Sequence, residues 1–144
     1  MNQRKNEKGF TLIELLIVMI ILGLLAALVG PRMFGKVGKS KQKAAQSQIA
    51  LFETALDTYR LDIGQYPTEE QGLMALREKP SNVDADKWDG PYLRKEIPLD
   101  PWGNAYVYRY PGEHGDYDLL SYGADGQSGG DDENTDIVSW KSIN

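Results

Sequence analysis

The chain has no cysteine and a single histidine, His114. The first absence rules out disulfides, thiolate metal sites and a thiol nucleophile. Neither G-x-S-x-G nor a phosphate-binding P-loop occurs. His114 lies in a Gly-rich turn near Asp118 and Ser121, and their place in a hairpin accounts for them better than a triad does. No enzyme is expected. Acid is scarce in the first half of the chain and base in the second. Residues 1–63 hold nine Lys/Arg against five Asp/Glu, net +4; residues 64–144 hold seven against sixteen, net −9. An acidic C-terminal part has the wrong sign for nucleic acid, so no nucleic-acid partner is expected.

What the chain does have is one long apolar run. Phe10 to Val29 is twenty residues, about 30 Å of helix, and Glu14 is its only charged residue. A carboxylate within a membrane helix costs about 2.5–3.5 kcal/mol and calls for a partner. The least costly partner is an ammonium group on a neighbouring copy of the chain. Cleavage between Gly9 and Phe10 would create one. An ordinary secretory signal fits poorly, because the run is too long and Ala26 to Gly30 is a weak A-x-A site. A plain signal anchor leaves Glu14 unexplained.

Gly23, Gly30 and Pro31 mark an expected interruption of this helix. Beyond it, Arg32, Lys36, Lys39, Lys41 and Lys43 form a basic collar suited to lipid headgroups or acidic neighbours. Counted by the positive-inside rule, this collar would place the C-terminal side in the cytoplasm, in conflict with a leader carrying Arg4, Lys5 and Lys8 there. Ala45, Ile49, Phe52, Leu56, Tyr59 and Ile63 recur at spacings of 4, 3, 4, 3 and 4, the core-facing stripe of an amphipathic helix that Gly64 ends. Thr68 and Gln71 form a capping box for a second short helix, with Leu73 and Leu76 facing inward and Pro80 closing it. Strands are expected at 105–110, 117–122 and 137–140. The predicted fold is α+β: a long N-terminal helix packed on a small antiparallel three-stranded sheet.

Residues 123–136 hold Asp125, Asp131, Asp132, Glu133 and Asp136, four glycines and no base. The pattern is not an EF-hand. Oxygen donors and mobile glycines suit a hard cation such as Ca²⁺. On spacing alone, a solvated acidic loop accounts for them at least as well.

Lys8-Gly9-Phe10-Thr11-Leu12-Ile13-Glu14 resembles the processing signal of type IV pilins and pseudopilins. Gln65 to Leu73, Leu99 to Gly103 and Ser121 to Gly126 further resemble the G-type major pseudopilins of type II secretion systems. That resemblance implies a leader 1–9 removed by prepilin peptidase, which also methylates Phe10. It implies a membrane and polymerisation helix at 10–31, its amphipathic half at 32–63, and a periplasmic domain at 64–144. Gly23 to Pro31 would be locally melted in the filament. The loop at about 122–136 would hold structural Ca²⁺ through Asp125 and Asp132, then Asp131, with the Tyr122 and Ser128 carbonyls and with Glu133 and Asp136 as weaker candidates. Expected partners are further copies of the chain, minor pseudopilins, the inner-membrane assembly platform with its cytoplasmic ATPase, and exported proteins. The alternative within the superfamily is a type IV pilin for adhesion, twitching or DNA uptake.

Overall fold

A computed structural model describes residues 8–143; Asn144 and residues 1–7 of the leader, with Arg4, Lys5 and Glu7, lie outside the described residues. Helix α1 runs Leu12–Ile63, 52 residues, with Pro31 inside it. The interruption expected at Gly23, Gly30 and Pro31 is absent. Proline there removes one hydrogen bond to the preceding turn, and a helix tolerates one lost rung when its other residues keep helical geometry. The helix ends where expected. Gly64 takes φ +94° and its N–H bonds to the Arg60 carbonyl at 2.7 Å, a left-handed stop that favours glycine.

The chain divides into two compact units between Val37 and Gly38. In the first, no residue from Leu12 to Val29 is buried, and the stretch is long and apolar enough to cross a membrane. In the second, the expected stripe becomes the core: Ala45, Ile49, Phe52, Leu56 and Tyr59 are buried and Ile63 is partly so. They pack with Leu73, Leu76, Tyr106, Tyr108, Leu119 and Ile137. Phe52 meets Tyr106 edge-on at 5.1 Å, the arrangement that aromatic quadrupoles favour.

The capping box at Thr68 forms in both directions. The Thr68 N–H donates to the Gln71 side chain at 2.8 Å, and the Gln71 N–H to the Thr68 hydroxyl at 3.3 Å. No α-helix follows. Residues 69–72 form turns, and only Leu73–Leu76 is helical, as one 3-10 segment. A single α-type turn closes, the Gly72 N–H donating to the Thr68 carbonyl at 2.9 Å, and Gly72, at φ +58°, ends it there. Leu73 and Leu76 face inward as expected.

The sheet comprises β1 (Val107–Arg109), β2 (Asp118–Ser121) and β3 (Ile137–Val138), antiparallel in the order β1-β2-β3. Each strand is shorter than the alternation suggests. Leu120 lies between Val107 and Val138, and Ser121 pairs with Ile137. Ser139 extends the last pairing, its N–H donating to the Leu119 carbonyl at 2.9 Å. As the middle strand, β2 is buried at all four residues.

The loop joining β1 to β2 is held by a buried carboxylate. Asp118 accepts the N–H groups of Glu113 and His114 at 3.0 and 3.1 Å and lies 3.0 Å from His114 Nδ1. The His114 ring in turn stacks flat on Trp140, 3.8 Å between centres. Burial pushes the Asp118 carboxyl upward, but the His114 ring and the two N–H groups outweigh it and hold it below the usual carboxylate range. A depressed carboxyl stabilises the fold above its unfolded pKa of about 3.9, and that contribution disappears as pH falls through the lower folded value. Thermal melts of the chain in detergent should therefore lose stability below about pH 4, and Asp118→Asn should flatten that acid limb. An unchanged acid limb in the variant would remove Asp118 as its cause.

Candidate functional site

Two places carry the expected chemistry. The first is the start of α1. Residues 8–11 precede the helix and are exposed, so the Gly9–Phe10 bond lies in non-helical backbone that a peptidase can engage. The Glu14 carboxylate accepts the Thr11 N–H at 2.8 Å, and the Glu14 N–H approaches the Thr11 hydroxyl at 3.3 Å. This is a second reciprocal capping box, T-x-x-E, legible in the sequence but not among the expectations above. It supplies Glu14 with a partner inside its own chain. Removal of residues 1–9 would leave the Thr11 amide, the donor of this cap, in the chain. Oε2 makes the bond, and the carboxylate keeps further acceptor capacity on its other oxygen.

The second place is the acidic loop. Its entry is fixed by a buried pair: the Ser121 hydroxyl donates to Asp100 at 2.6 Å, with both residues almost fully buried. The other Asp100 oxygen accepts the N–H groups of Trp102 and Asn104 at 3.1 and 2.8 Å. Ser121 also accepts the Gly123 N–H at 3.3 Å. The Asp-Pro-Trp-Gly-Asn turn thus braces the strand from which the loop departs. Gly123 sits at φ +73°, and a Cβ there would lie 2.8 Å from the Thr135 carbonyl oxygen and 2.9 Å from that of Glu133. The Ala124 N–H bonds to that Glu133 oxygen at 2.9 Å, closing the loop at its neck.

Within the loop, Asp125, Asp131, Asp132, Glu133 and Ser128 are exposed, and Tyr122 and Asp136 are partly buried. Asp125 accepts the Gln127 N–H at 3.1 Å; Asp136 accepts the Gly129 N–H at 2.9 Å and so binds the loop across seven residues. The other Asp136 oxygen, Oδ1, is buried without a partner. Asp132 takes φ +50° in a short 3-10 turn, Asp132–Asn134, and its carbonyl accepts the Gln42 side-chain amide of α1. Glu133 lies over Gly38, where a Cβ would collide with its side chain. The loop therefore rests on α1 through a contact the sequence did not signal. An all-oxygen donor set and an orphaned carboxylate oxygen fit a hard cation in chemistry. Among the described residues, no three carboxylates are gathered closely enough to hold one.

Protein G of the type II secretion system is the family whose model matches residues 32–140, and the prokaryotic N-terminal methylation motif matches residues 4–30. The chain belongs to the type II secretion protein G family. It is 45% identical to the type II secretion system core protein G of Pseudomonas aeruginosa, over 96% of this chain and 98% of that protein. Against the core protein G of Vibrio cholerae it is 44% identical, over 97% and 96%. The crystal structure of the major pseudopilin from the type 2 secretion system of enterohaemorrhagic Escherichia coli matches with a TM-score of 0.61 and 39% identity, covering 76% of this chain and 95% of that one. The family is a structural pseudopilin subunit, not an enzyme. These likenesses favour the secretion reading over a pilus for adhesion, twitching or DNA uptake.

Two substitutions probe the loop's supports. Gly123→Ala forces a left-handed residue against backbone and should cost about 1–3 kcal/mol. Ser121→Ala strips Asp100 of its shortest hydrogen bond and should cost about as much. Both are read as a lower melting temperature by near-ultraviolet circular dichroism. A Gly123→Ala chain melting like the parent would show that the neck relaxes freely.

Proposed function

We propose that this chain is the major subunit of a type II secretion pseudopilus. Prepilin peptidase cuts after Gly9 and methylates Phe10. The segment 10–31 holds the unassembled subunit in the inner membrane, with residues 64–144 in the periplasm. Subunits then leave the bilayer for a helical homopolymer raised on an inner-membrane platform by a cytoplasmic ATPase and headed by minor pseudopilins. Its growth drives folded exoproteins across the outer membrane. The observation that carries this reading is the unburied apolar helix beside a matched methylation motif, in a chain matching secretion protein G end to end. In this reading the leader, despite the positive-inside conflict, faces a peptidase at the cytoplasmic face.

Glu14 acts twice in this scheme. In the single chain it caps α1, where the helix dipole favours its charge. In the polymer its carboxylate meets the Phe10 amine of another copy and sets the register. Glu14→Gln separates the roles, since the amide oxygen can still accept the Thr11 N–H while the negative charge is gone. Helicity should stay at the parent value, while filament yield and export of an extracellular enzyme fall at least tenfold (about 1.4 kcal/mol per tenfold step). Normal filaments from Glu14→Gln would remove the ion pair from the account.

The loop of residues 122–136 is proposed to take structural Ca²⁺. Asp125, Asp131 and Asp132 would supply carboxylates, Tyr122 and Ser128 backbone carbonyls, and Glu133 and Asp136 further oxygens. Bound calcium would neutralise the cluster and fix the path into β3. Asp125, Asp131 and Asp132 are exposed. At a hundredfold excess over Kd, calcium should add about 2.7 kcal/mol of stability, seen as a rise in melting temperature that chelator reverses and Asp125→Ala abolishes. Identical melts with and without chelator would eliminate the site.

A further inference from the structure

The first compact unit of the chain, which ends at Val37, carries more than its apolar run. Arg32 and Lys36 follow that run at a spacing of four, so they share one face of α1. Both are exposed, and among the described residues neither takes part in an ion pair. Among residues 8–37 the only acid is Glu14, at the far end of the run and engaged by Thr11. In the sequence no further acid occurs before Glu53, so nothing along the chain balances the two bases. Met33, Phe34 and Val37 fall on another face of the same turns, 57%, 75% and 51% exposed. Bases on one side and an aromatic ring with aliphatic groups on the other suit a helix lying at the boundary of headgroups and acyl chains. Helix length sets the depth. Leu12 to Val29 spans about 27 Å, close to the thickness of a hydrocarbon core. Arg32 then stands about 4.5 Å further on, in the headgroup layer. Helical side chains lean toward the N-terminus of their helix, so Lys36, one turn later, reaches back toward the same layer.

We propose that Arg32 and Lys36 bind the phosphate of an anionic phospholipid at the bilayer surface. The inference rests on the reading above that the apolar run of the unassembled subunit lies in a membrane. Charge decides the class of lipid. The two bases bring unbalanced positive charge, which an anionic headgroup neutralises and a zwitterionic one, carrying its own ammonium, does not. Geometry assigns the roles. Arg32 offers a planar fork to two phosphate oxygens, and Lys36 adds a mobile point charge one turn away.

Gly35 precedes Lys36, and a Cβ there would meet nothing within 4 Å. Because the chain contains no cysteine, Gly35→Cys takes a single nitroxide label. The full labelled chain is placed in nanodiscs of equal parts phosphatidylcholine and phosphatidylglycerol, with glycerol 3-phosphate in the buffer. The three phosphates give separate phosphorus resonances, and the nitroxide speeds the relaxation of any held near it. Phosphatidylglycerol should relax at least about fivefold more than phosphatidylcholine, the preference that bases at a membrane surface confer. Replacing both bases, Arg32→Gln with Lys36→Gln, should make the two lipids equal, while Arg32→Lys keeps the preference. High salt should also equalise them, because the charges are exposed. Equal relaxation of both lipids in the parent chain would overturn the proposal and leave membrane anchoring standing. A preference that survives in the double variant would overturn the assignment to these residues. Glycerol 3-phosphate relaxing most would make the ligand a soluble phosphate and overturn the lipid. No enhancement for either lipid would place the chain outside the bilayer and overturn both readings.

Discussion

Among the described residues, α1 is exposed at every position from Leu12 to Val29, and that constraint governs the rest of the molecule. Each leucine or isoleucine left in water forgoes about 1.5–3 kcal/mol relative to burial. A stretch exposed from Leu12 to Val29 is therefore suited to lipid or to an apolar protein surface. Lipid accepts apolar side chains without preference. A packed polymer does not, and there a charged residue acquires positional meaning. Glu14 is the single charge in the stretch, and in one chain it is already engaged by Thr11. The cap makes the carboxylate tolerable at the helix start, and its remaining acceptor capacity leaves it available to a cation brought by a neighbour.

The second half of the same helix solves the opposite problem. Its stripe from Ala45 to Tyr59 is buried beneath the sheet and the Leu73–Leu76 turn. With no disulfide available, the irregular segments are held by single polar anchors. Asp100 braces the loop entry, Asp118 closes the β1–β2 turn, and the Tyr108 hydroxyl reaches the Pro67 carbonyl at 2.7 Å. The acidic loop is set between two such supports, the Ser121–Asp100 pair at its neck and Gln42 beneath Asp132.

Strong periodicities were legible in the sequence. The 3.6-residue stripe and the three-stranded antiparallel sheet followed from spacing, and the Gly64 stop from glycine's tolerance of positive φ. Local signals read alone went astray. Pro31 suggested a break, yet one missing N–H does not end a helix whose other rungs hold. The Thr68 box promised an α-helix, yet Gly72 at positive φ cut it to four 3-10 residues. Alternation over 105–110 overstated β1, which pairs with β2 only from Val107 to Arg109. At the candidate sites, residue types were visible and their neighbours were not. Nothing in the order of residues placed Gln42 or Gly38 under a loop ninety positions later.

The measurement that bears most directly on this account is a density map of the assembled filament in which side chains along α1 are resolved. It should show Leu12 to Val29 enclosed by helices of other copies, with the Glu14 carboxylate within salt-bridge distance of a neighbour's Phe10 amine. A filament in which Glu14 remains folded on its own Thr11 and faces solvent, or in which these helices stand apart, would contradict it.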